Sequence, residues 1–129
     1  MTPTIYYGKL ITGVIEDIIN TAKLVLHDSE YYEDYKDLIQ HKELLYPIVA
    51  HIIESRLRGS RSVYPRVVAK YYNGYGYRYV TKFLVRLGLL RQSYVYSSKA
   101  ACLYKYKITD DLDRILRKHG IYPVWMDKH

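Results

Sequence analysis

The spacing of apolar residues along the chain changes at Gly88. Before it, residues 77–87 carry apolar side chains three and four positions apart, which is helical spacing. After it, Val95 is flanked by Tyr94 and Tyr96, and Tyr104, Tyr106 and Ile108 alternate with Lys105 and Lys107, which indicates the two-residue period of two strands joined near residues 97–100. Thr109 can then cap a final helix. The sequence therefore predicts a mainly α chain of the α+β class that ends in a hairpin and a helix.

Helical spacing also appears in the first half of the chain. Residues 8–27 carry apolar side chains on two adjoining edges, a stripe wider than that of an ordinary surface helix. Such a helix either lies within the core of its own domain or pairs with a second copy of itself. Further helices are predicted over residues 30–43, 46–57 and 63–72, with Ser62 as the cap of the last.

Charge is distributed unevenly along the 129 residues. Residues 55–107 contain twelve lysines and arginines and no acidic residue, whereas the 54 residues before them contain four basic and nine acidic ones. Ten of the seventeen tyrosines also lie in this basic block. Cations without anions, interleaved with aromatic rings, favour a polyanionic partner, and nucleic acid is the first to consider.

Several other classes of function are disfavoured. No apolar stretch approaches the ~18 to 20 residues of a membrane span, and the first nine residues lack the pattern of a signal peptide. Cys102 is the only cysteine, and the five histidines show no metal-ligand spacing. No tyrosine is singled out as a nucleophile. We therefore expect a cytoplasmic, nucleoid-associated protein that is not an enzyme, with no metal, no cofactor and no membrane partner.

The helix predicted over residues 77–87 carries a row of cations. Arg78, Lys82 and Arg86 are spaced i, i+4 and i+8, so they should form a ladder on the face opposite Val80 and Leu84. Like charges stacked in this way repel one another. An anionic partner would relieve that repulsion.

The order of helix, short helix, glycine turn, basic helix, strand, turn, strand and helix resembles the winged helix-turn-helix DNA-binding superfamily, in the small form of archaea and their viruses. The matching core is VAKYYNGYGYRYVTKFLVRLGLL, residues 68–90. The turn at residues 72–76 is longer and richer in Gly and Tyr than the usual one. The resemblance implies three parts: an N-terminal helical extension (1–45), a winged-helix domain (46–120) and a C-terminal tail (121–129).

The resemblance also implies a function and a site. The protein would bind double-stranded DNA, sequence-specifically or generally, as a transcriptional regulator, through a recognition helix at 77–87 and a two-stranded wing at 91–108. The residues implied or predicted to contact DNA are Arg61, Arg66, Tyr75, Tyr77, Arg78, Tyr79, Lys82, Arg86, Lys99, Lys105 and Lys107.

Other interpretations stay open at the level of sequence. The tyrosines could stack on unpaired bases, in which case the protein would bind RNA or single strands within a nucleoprotein or replication assembly. A winged helix can also act as a protein-binding adaptor. If residues 8–26 pair across a two-fold axis, the resulting homodimer could address DNA half-sites ~34 Å apart.

Overall fold

A computed structural model describes residues 4–74, 76–97 and 102–123 of the chain. In these ranges the protein is mainly helical, with a small three-stranded antiparallel sheet, and it belongs to the α+β class. Its elements are, in order, α1 (Thr4–Val25), α2 (Tyr32–Gln40), a 3₁₀ turn (Lys42–Leu45), α3 (Tyr46–Leu57), β1 (Ser62–Val63), a 3₁₀ helix (Pro65–Tyr71), α4 (Gly76–Arg86), β2 (Leu90–Ser97), β3 (Cys102–Ile108) and α5 (Asp110–Lys118).

Most of the predicted helices are confirmed, with shifts at their ends. The helix predicted over residues 46–57 has these bounds as α3, and α1 and α4 occupy the segments predicted from the apolar spacing. The second helix is shorter than predicted, because α2 ends at Gln40 and a 3₁₀ turn precedes α3. Pro47 lies in the first turn of α3, where its missing N–H has no helical partner to lose.

The segment predicted as a helix over residues 63–72 differs from that prediction. Its regular part is a 3₁₀ helix that begins at Pro65, and Ser62 lies in β1 instead of capping a helix. The backbone of Ser62 pairs with that of Lys107 in β3. Because β1 has only two residues, it shows no period that a sequence pattern could reveal.

α1 lies in the same core as the rest of the chain. Val14 and Ile18 are completely buried, and one cluster of buried residues runs from Ile11 to Ile121. The wide apolar stripe is thus buried within one chain, mainly against α3, which is the first of the two arrangements expected for it. Residues on both sides of residue 45 contribute to this one cluster.

α1 and α5 approach each other closely at Gly13. A Cβ atom at this position would lie 2.8 Å from Cε1 of His119, so a larger residue here would require the imidazole ring to move. Nε2 of His119 lies 2.6 Å from Oδ2 of Asp17, and Nζ of Lys118 lies 3.3 Å from the same carboxylate. Burial alone would raise the pKa of Asp17, but the hydrogen bonds with His119 and Lys118 outweigh it and lower that pKa.

The sheet has the strand order β1-β3-β2, with β3 in the centre. Its third strand, β1, was not predicted. In the register of β2 with β3, Arg91 is opposite Lys107 and Gln92 is opposite Tyr106. A β-bulge at Ser93 then shifts the register by one residue. This register decides which side chains of the hairpin face α4.

Thr109 joins the end of the sheet to α5, as predicted. Its hydroxyl accepts a hydrogen bond from the backbone N–H of Leu112 and donates to the carbonyl of Gly88 at 2.7 Å. Gly88 has a φ of 75°, which a residue with a side chain rarely adopts, and it ends the last turn after α4. Beyond α5, Ile121 is completely buried. None of the helices in the described ranges is long and apolar enough to cross a membrane.

Candidate nucleic-acid interface

An open groove of about 550 Å³ runs between α4 and the sheet, and it is termed the α4 groove below. The side chains of its lining come from the 3₁₀ helix, from α4 and from the hairpin β2–β3. The lining residues are Pro65, Arg66, Tyr77, Arg78, Tyr79, Thr81, Lys82, Gln92, Tyr104 and Tyr106. Among these described residues three are cations, four are tyrosines and none is acidic.

α4 presents its basic side to the groove because its apolar side is buried. Val80, Phe83 and Leu84 are at most 1% exposed, as the helical spacing predicts. Arg78 and Lys82 lie on the other side of the helix and are exposed. Two of the three predicted cations of α4 therefore reach the groove.

Arg86, the third cation of that predicted ladder, lies elsewhere. Its guanidinium carbon is 3.9 Å from the ring centroid of Tyr31, just before α2. Four residues advance about 400° around an α-helix, so each step of the ladder turns by about 40°. Over the two steps from Arg78, the ladder rotates away from the groove and toward α2. The three cations do not share one docking face.

Tyr79 holds α4 against α2. Its hydroxyl donates a 2.6 Å hydrogen bond to the carbonyl oxygen of Asp34, and its ring stacks on that of Tyr35 at 5.5 Å between centroids. Burial raises the pKa of this hydroxyl, and the carboxylates of Asp37 and Asp34 raise it further. Although Tyr79 was predicted to contact DNA, its hydroxyl is engaged within the protein.

The remaining tyrosines of the groove lie near its cations. Nε of Arg78 donates a 3.2 Å hydrogen bond to Oη of Tyr77, and the Arg78 guanidinium lies 5.7 Å from the centroid of that ring. Burial raises the pKa of Tyr106, and Tyr104 and Tyr77 raise it further, against the opposing charge of Arg78. A protonated phenol can donate a hydrogen bond, and its ring can stack on a base.

Arg61, which was predicted to contact flanking phosphates, forms ion pairs inside the protein. Nη1 lies 2.9 Å from Oδ1 of Asp110, and Nη2 lies 3.2 Å from Oδ2 of Asp113. Both carboxylates come from the start of α5. The carboxylates that pair with Arg61 therefore lie in α5, after the end of the acid-free block.

Asp113 binds two further arginines and is only 4% exposed. Nε of Arg56 lies 2.7 Å from its Oδ1, and Nε of Arg117 lies 3.1 Å from its Oδ2. Burial alone would raise the pKa of Asp113, but the hydrogen bonds from Arg56 and Arg117 and the charges of Arg56 and Arg61 outweigh it and lower the pKa. These four residues are termed the Asp113 cluster.

Lys105 and Lys107 lie on the face of the sheet opposite to the groove. Tyr104 and Tyr106 line the groove, and successive side chains of a strand point to opposite faces. The two lysines, predicted to contact DNA from the wing, therefore do not join Lys82. The other two predicted contact residues, Tyr75 and Lys99, lie outside the described residues.

Sequence reasoning missed three residues of the groove. Tyr104, Tyr106 and Gln92 were not predicted as site residues, yet they form its sheet side. The alternation of tyrosine with lysine in β3 had already indicated that the two tyrosines share one face. It could not indicate that this face meets α4, since that depends on how the hairpin packs.

Comparisons with protein-family models, with curated proteins and with solved structures find no match to this chain. The geometry of the α4 groove is therefore the basis for the functional argument.

Proposed function

We propose that this protein binds double-stranded DNA as a transcriptional regulator, with α4 as the recognition helix of a winged helix-turn-helix domain. One observation carries the proposal. Cations from separate elements, Arg66 of the 3₁₀ helix and Arg78 and Lys82 of α4, converge on one open groove whose described lining residues include no acid. A phosphate backbone lying in the groove would meet all three.

The order of the elements supports this arrangement. α3, the 3₁₀ helix, α4, β2, β3 and α5 follow one another in the order that the resemblance to a winged helix implies, with the hairpin β2–β3 as the wing and β1 as an additional strand. The 3₁₀ helix and α4 would form the helix-turn-helix, joined by the turn at Asn73 and Gly74. The 11 residues of α4 give the helix a length of about 16 Å, and the major groove of B-DNA is wide enough to admit an α-helix.

Charge also restricts the side from which DNA can approach. The exposed acidic residues Glu33, Asp34 and Asp37 lie on α2, which packs against α4 through Tyr79. A duplex would be repelled on that side of α4 and attracted on the side of the groove. The expected contacts of α4 are therefore Arg78 and Lys82, with Arg86 contributing less.

The proposal is tested by removing the two cations of α4 together. Binding of a 25-base-pair duplex to the Arg78→Ala/Lys82→Ala variant is measured by fluorescence anisotropy over a range of salt concentrations. Removing each charge-assisted hydrogen bond should weaken binding roughly tenfold at fixed low salt. The slope of log K against log salt should also become shallower by about 0.9 for each phosphate that the variant no longer neutralises.

A Lys9→Ala/Lys23→Ala variant is the matched control, since it removes two exposed lysines from outside the basic block. It should retain the affinity and the salt slope of the parent to within about twofold, because these lysines lie on α1. Equal affinities of the parent, the control and the α4 variant would show that the groove does not hold DNA.

A second candidate function, binding of single-stranded nucleic acid, is favoured by the aromatic lining. Tyr77, Tyr104 and Tyr106 all line the groove, and Tyr104 is 42% exposed. Aromatic rings beside cations are typical of surfaces on which unpaired bases stack. In that case Tyr104→Ala would weaken binding more than Lys82→Ala, and oligo(dT) would displace a labelled duplex at equal nucleotide concentration. Under our proposal the duplex is retained.

A further inference from the structure

The sheet carries basic side chains on both of its faces. Tyr104 and Tyr106 face the α4 groove, so Lys105 and Lys107 project from the other face of β3. Arg91 is opposite Lys107 in the register of β2 with β3 and lies on that same face. Arg91, Lys105 and Lys107 are termed the outer sheet face.

In the register of the strands, the cations of the outer sheet face lie opposite one another or opposite uncharged residues. Residues directly opposite on neighbouring strands have Cβ atoms about 5 Å apart, and like charges at such positions destabilise a sheet. Arg91 and Lys107 are both exposed, and Lys105 is partly exposed. Within the described ranges none of the three forms an ion pair. This contrasts with Arg61, at the edge of the same sheet, whose charge is met by two carboxylates.

We propose that the outer sheet face is a second binding surface for the phosphate backbone of DNA, so that one molecule holds two duplex segments at once. The first segment would occupy the α4 groove and the second would lie across β2 and β3. The surface fits phosphates because it offers three cations. In the register of its strands, Lys107 is opposite Arg91 and Ser62, and Lys105 is opposite Tyr94, so no cation is paired with an acidic residue.

The two surfaces suit two segments better than one. They lie on opposite faces of the same sheet, so a straight duplex that contacts one surface cannot contact the other. DNA has a persistence length of about 150 base pairs, and a duplex of 25 base pairs is a stiff rod that does not fold around the hairpin. This inference rests on the proposed function of the α4 groove.

A bridging assay tests the inference. A biotinylated 25-base-pair duplex on beads is incubated with the full chain and with a second, fluorescent duplex, and the captured fluorescence is measured. The parent protein should capture the second duplex. An Arg91→Gln/Lys105→Gln/Lys107→Gln variant should bind one duplex within about threefold of the parent affinity yet capture at most about a tenth of the second.

The matched control is a Lys9→Gln/Lys23→Gln/Lys36→Gln variant. It removes the same number of positive charges, from exposed positions of α1 and α2, so it corrects for the change in net charge. This control should bridge as the parent does. Thermal unfolding monitors the fold, and the outer-face variant should melt no lower than the parent because it loses like-charge repulsion.

The outcomes separate this inference from the proposed function. Bridging that persists in the outer-face variant would overturn the inference, since two copies joined through their own α4 grooves would then explain it. The inference would also be overturned if the parent protein binds one duplex without capturing another, whereas the proposed function would then stand. If the outer-face variant loses single-duplex affinity as strongly as Arg78→Ala/Lys82→Ala, both faces serve one duplex and the inference is also wrong. A parent that binds no duplex removes both proposals together.

Discussion

Cations of the same acid-free block have opposite surroundings in the Asp113 cluster and in the α4 groove. In the cluster, Arg56 and Arg61 meet a carboxylate that is almost completely buried. In the groove, Arg78 and Lys82 line a surface that has no acidic lining residue among those described. The first pair joins α3 and the segment just before β1 to α5, and the second pair faces an open groove that an anionic partner can enter. A count of basic residues does not distinguish these roles.

The difference has an energetic cause. A charge buried in the protein must be paired, because the loss of its hydration is otherwise uncompensated. An exposed charge such as that of Lys82 keeps its hydration and does not need an internal anion. The fold can therefore place cations on surfaces where no internal anion pairs with them. Among the described residues, the lining of the α4 groove includes no acid and the cations of the outer sheet face form no ion pair.

The largest expected effect is the loss of stability in an Arg56→Ala variant. This side chain is 7% exposed, and its removal leaves the Asp113 carboxylate buried with less compensation. We expect the free energy of unfolding to fall by about 3 to 5 kcal/mol, measured by urea denaturation. Arg114→Ala, which breaks the exposed pair with Asp111, is the control and should cost less than about 1 kcal/mol. Similar losses in both would contradict the contrast between buried and exposed arginines.

Acid should weaken the same cluster. The pKa of Asp113 is lowered in the folded protein from its ordinary value of 3.8, so its contribution to stability is complete above that value. The contribution is lost as the pH falls through the lowered folded-state pKa. Urea denaturation between pH 6 and pH 2 should show this loss, and the Asp113→Asn variant should show a shallower decrease. Equal slopes in the two proteins would mean that the cluster does not depend on the carboxylate charge.

An Arg61→Ala variant tests a cation that is intermediate between the two groups. Arg61 belongs to the Asp113 cluster through its ion pair with Asp113, yet its side chain is 41% exposed. We expect a loss of about 1 kcal/mol in the free energy of unfolding, between the values for buried and exposed pairs. Its affinity for a duplex at fixed salt should stay within about twofold of the parent. A tenfold loss of affinity would instead assign Arg61 to the binding surface, as the sequence alone predicted.

The smallest effect on stability is expected for Lys82→Ala. Lys82 is exposed and lines the groove, so the free energy of unfolding should change by less than about 0.5 kcal/mol. Its affinity for a duplex should nevertheless fall. A variant that loses stability without losing affinity would show that the groove is a structural feature.

Much of the fold could be predicted from the chain itself. Apolar spacing located α1, α3 and α4, the change of period at Gly88 located the hairpin, and Thr109 marked the start of α5. These features depend on neighbours within a few residues, which is the range over which helical and strand periods act. The two-residue strand β1 and the 3₁₀ helix at Pro65 were missed because they depend on pairing with β3 and on backbone geometry.

The candidate site was less predictable for the same reason. Five of the residues predicted to contact DNA line the groove: Arg66, Tyr77, Arg78, Tyr79 and Lys82. Tyr79, Arg61 and Arg86 contact partners that lie far away in sequence; Asp34 and Tyr79, for example, are 45 positions apart. No pattern within the basic block could indicate these contacts.

The sequence by itself determined the class of the fold, the amphipathic character of α4 and the concentration of positive charge in residues 55–107. Periodicity and composition are properties of the sequence itself, so they are the same whichever way the elements pack. Only the tertiary structure decided which cations are neutralised within the protein and which face open surfaces. That decision depends on the carboxylates of α5, more than 40 residues from Arg61, and on which face of β3 packs beside α4.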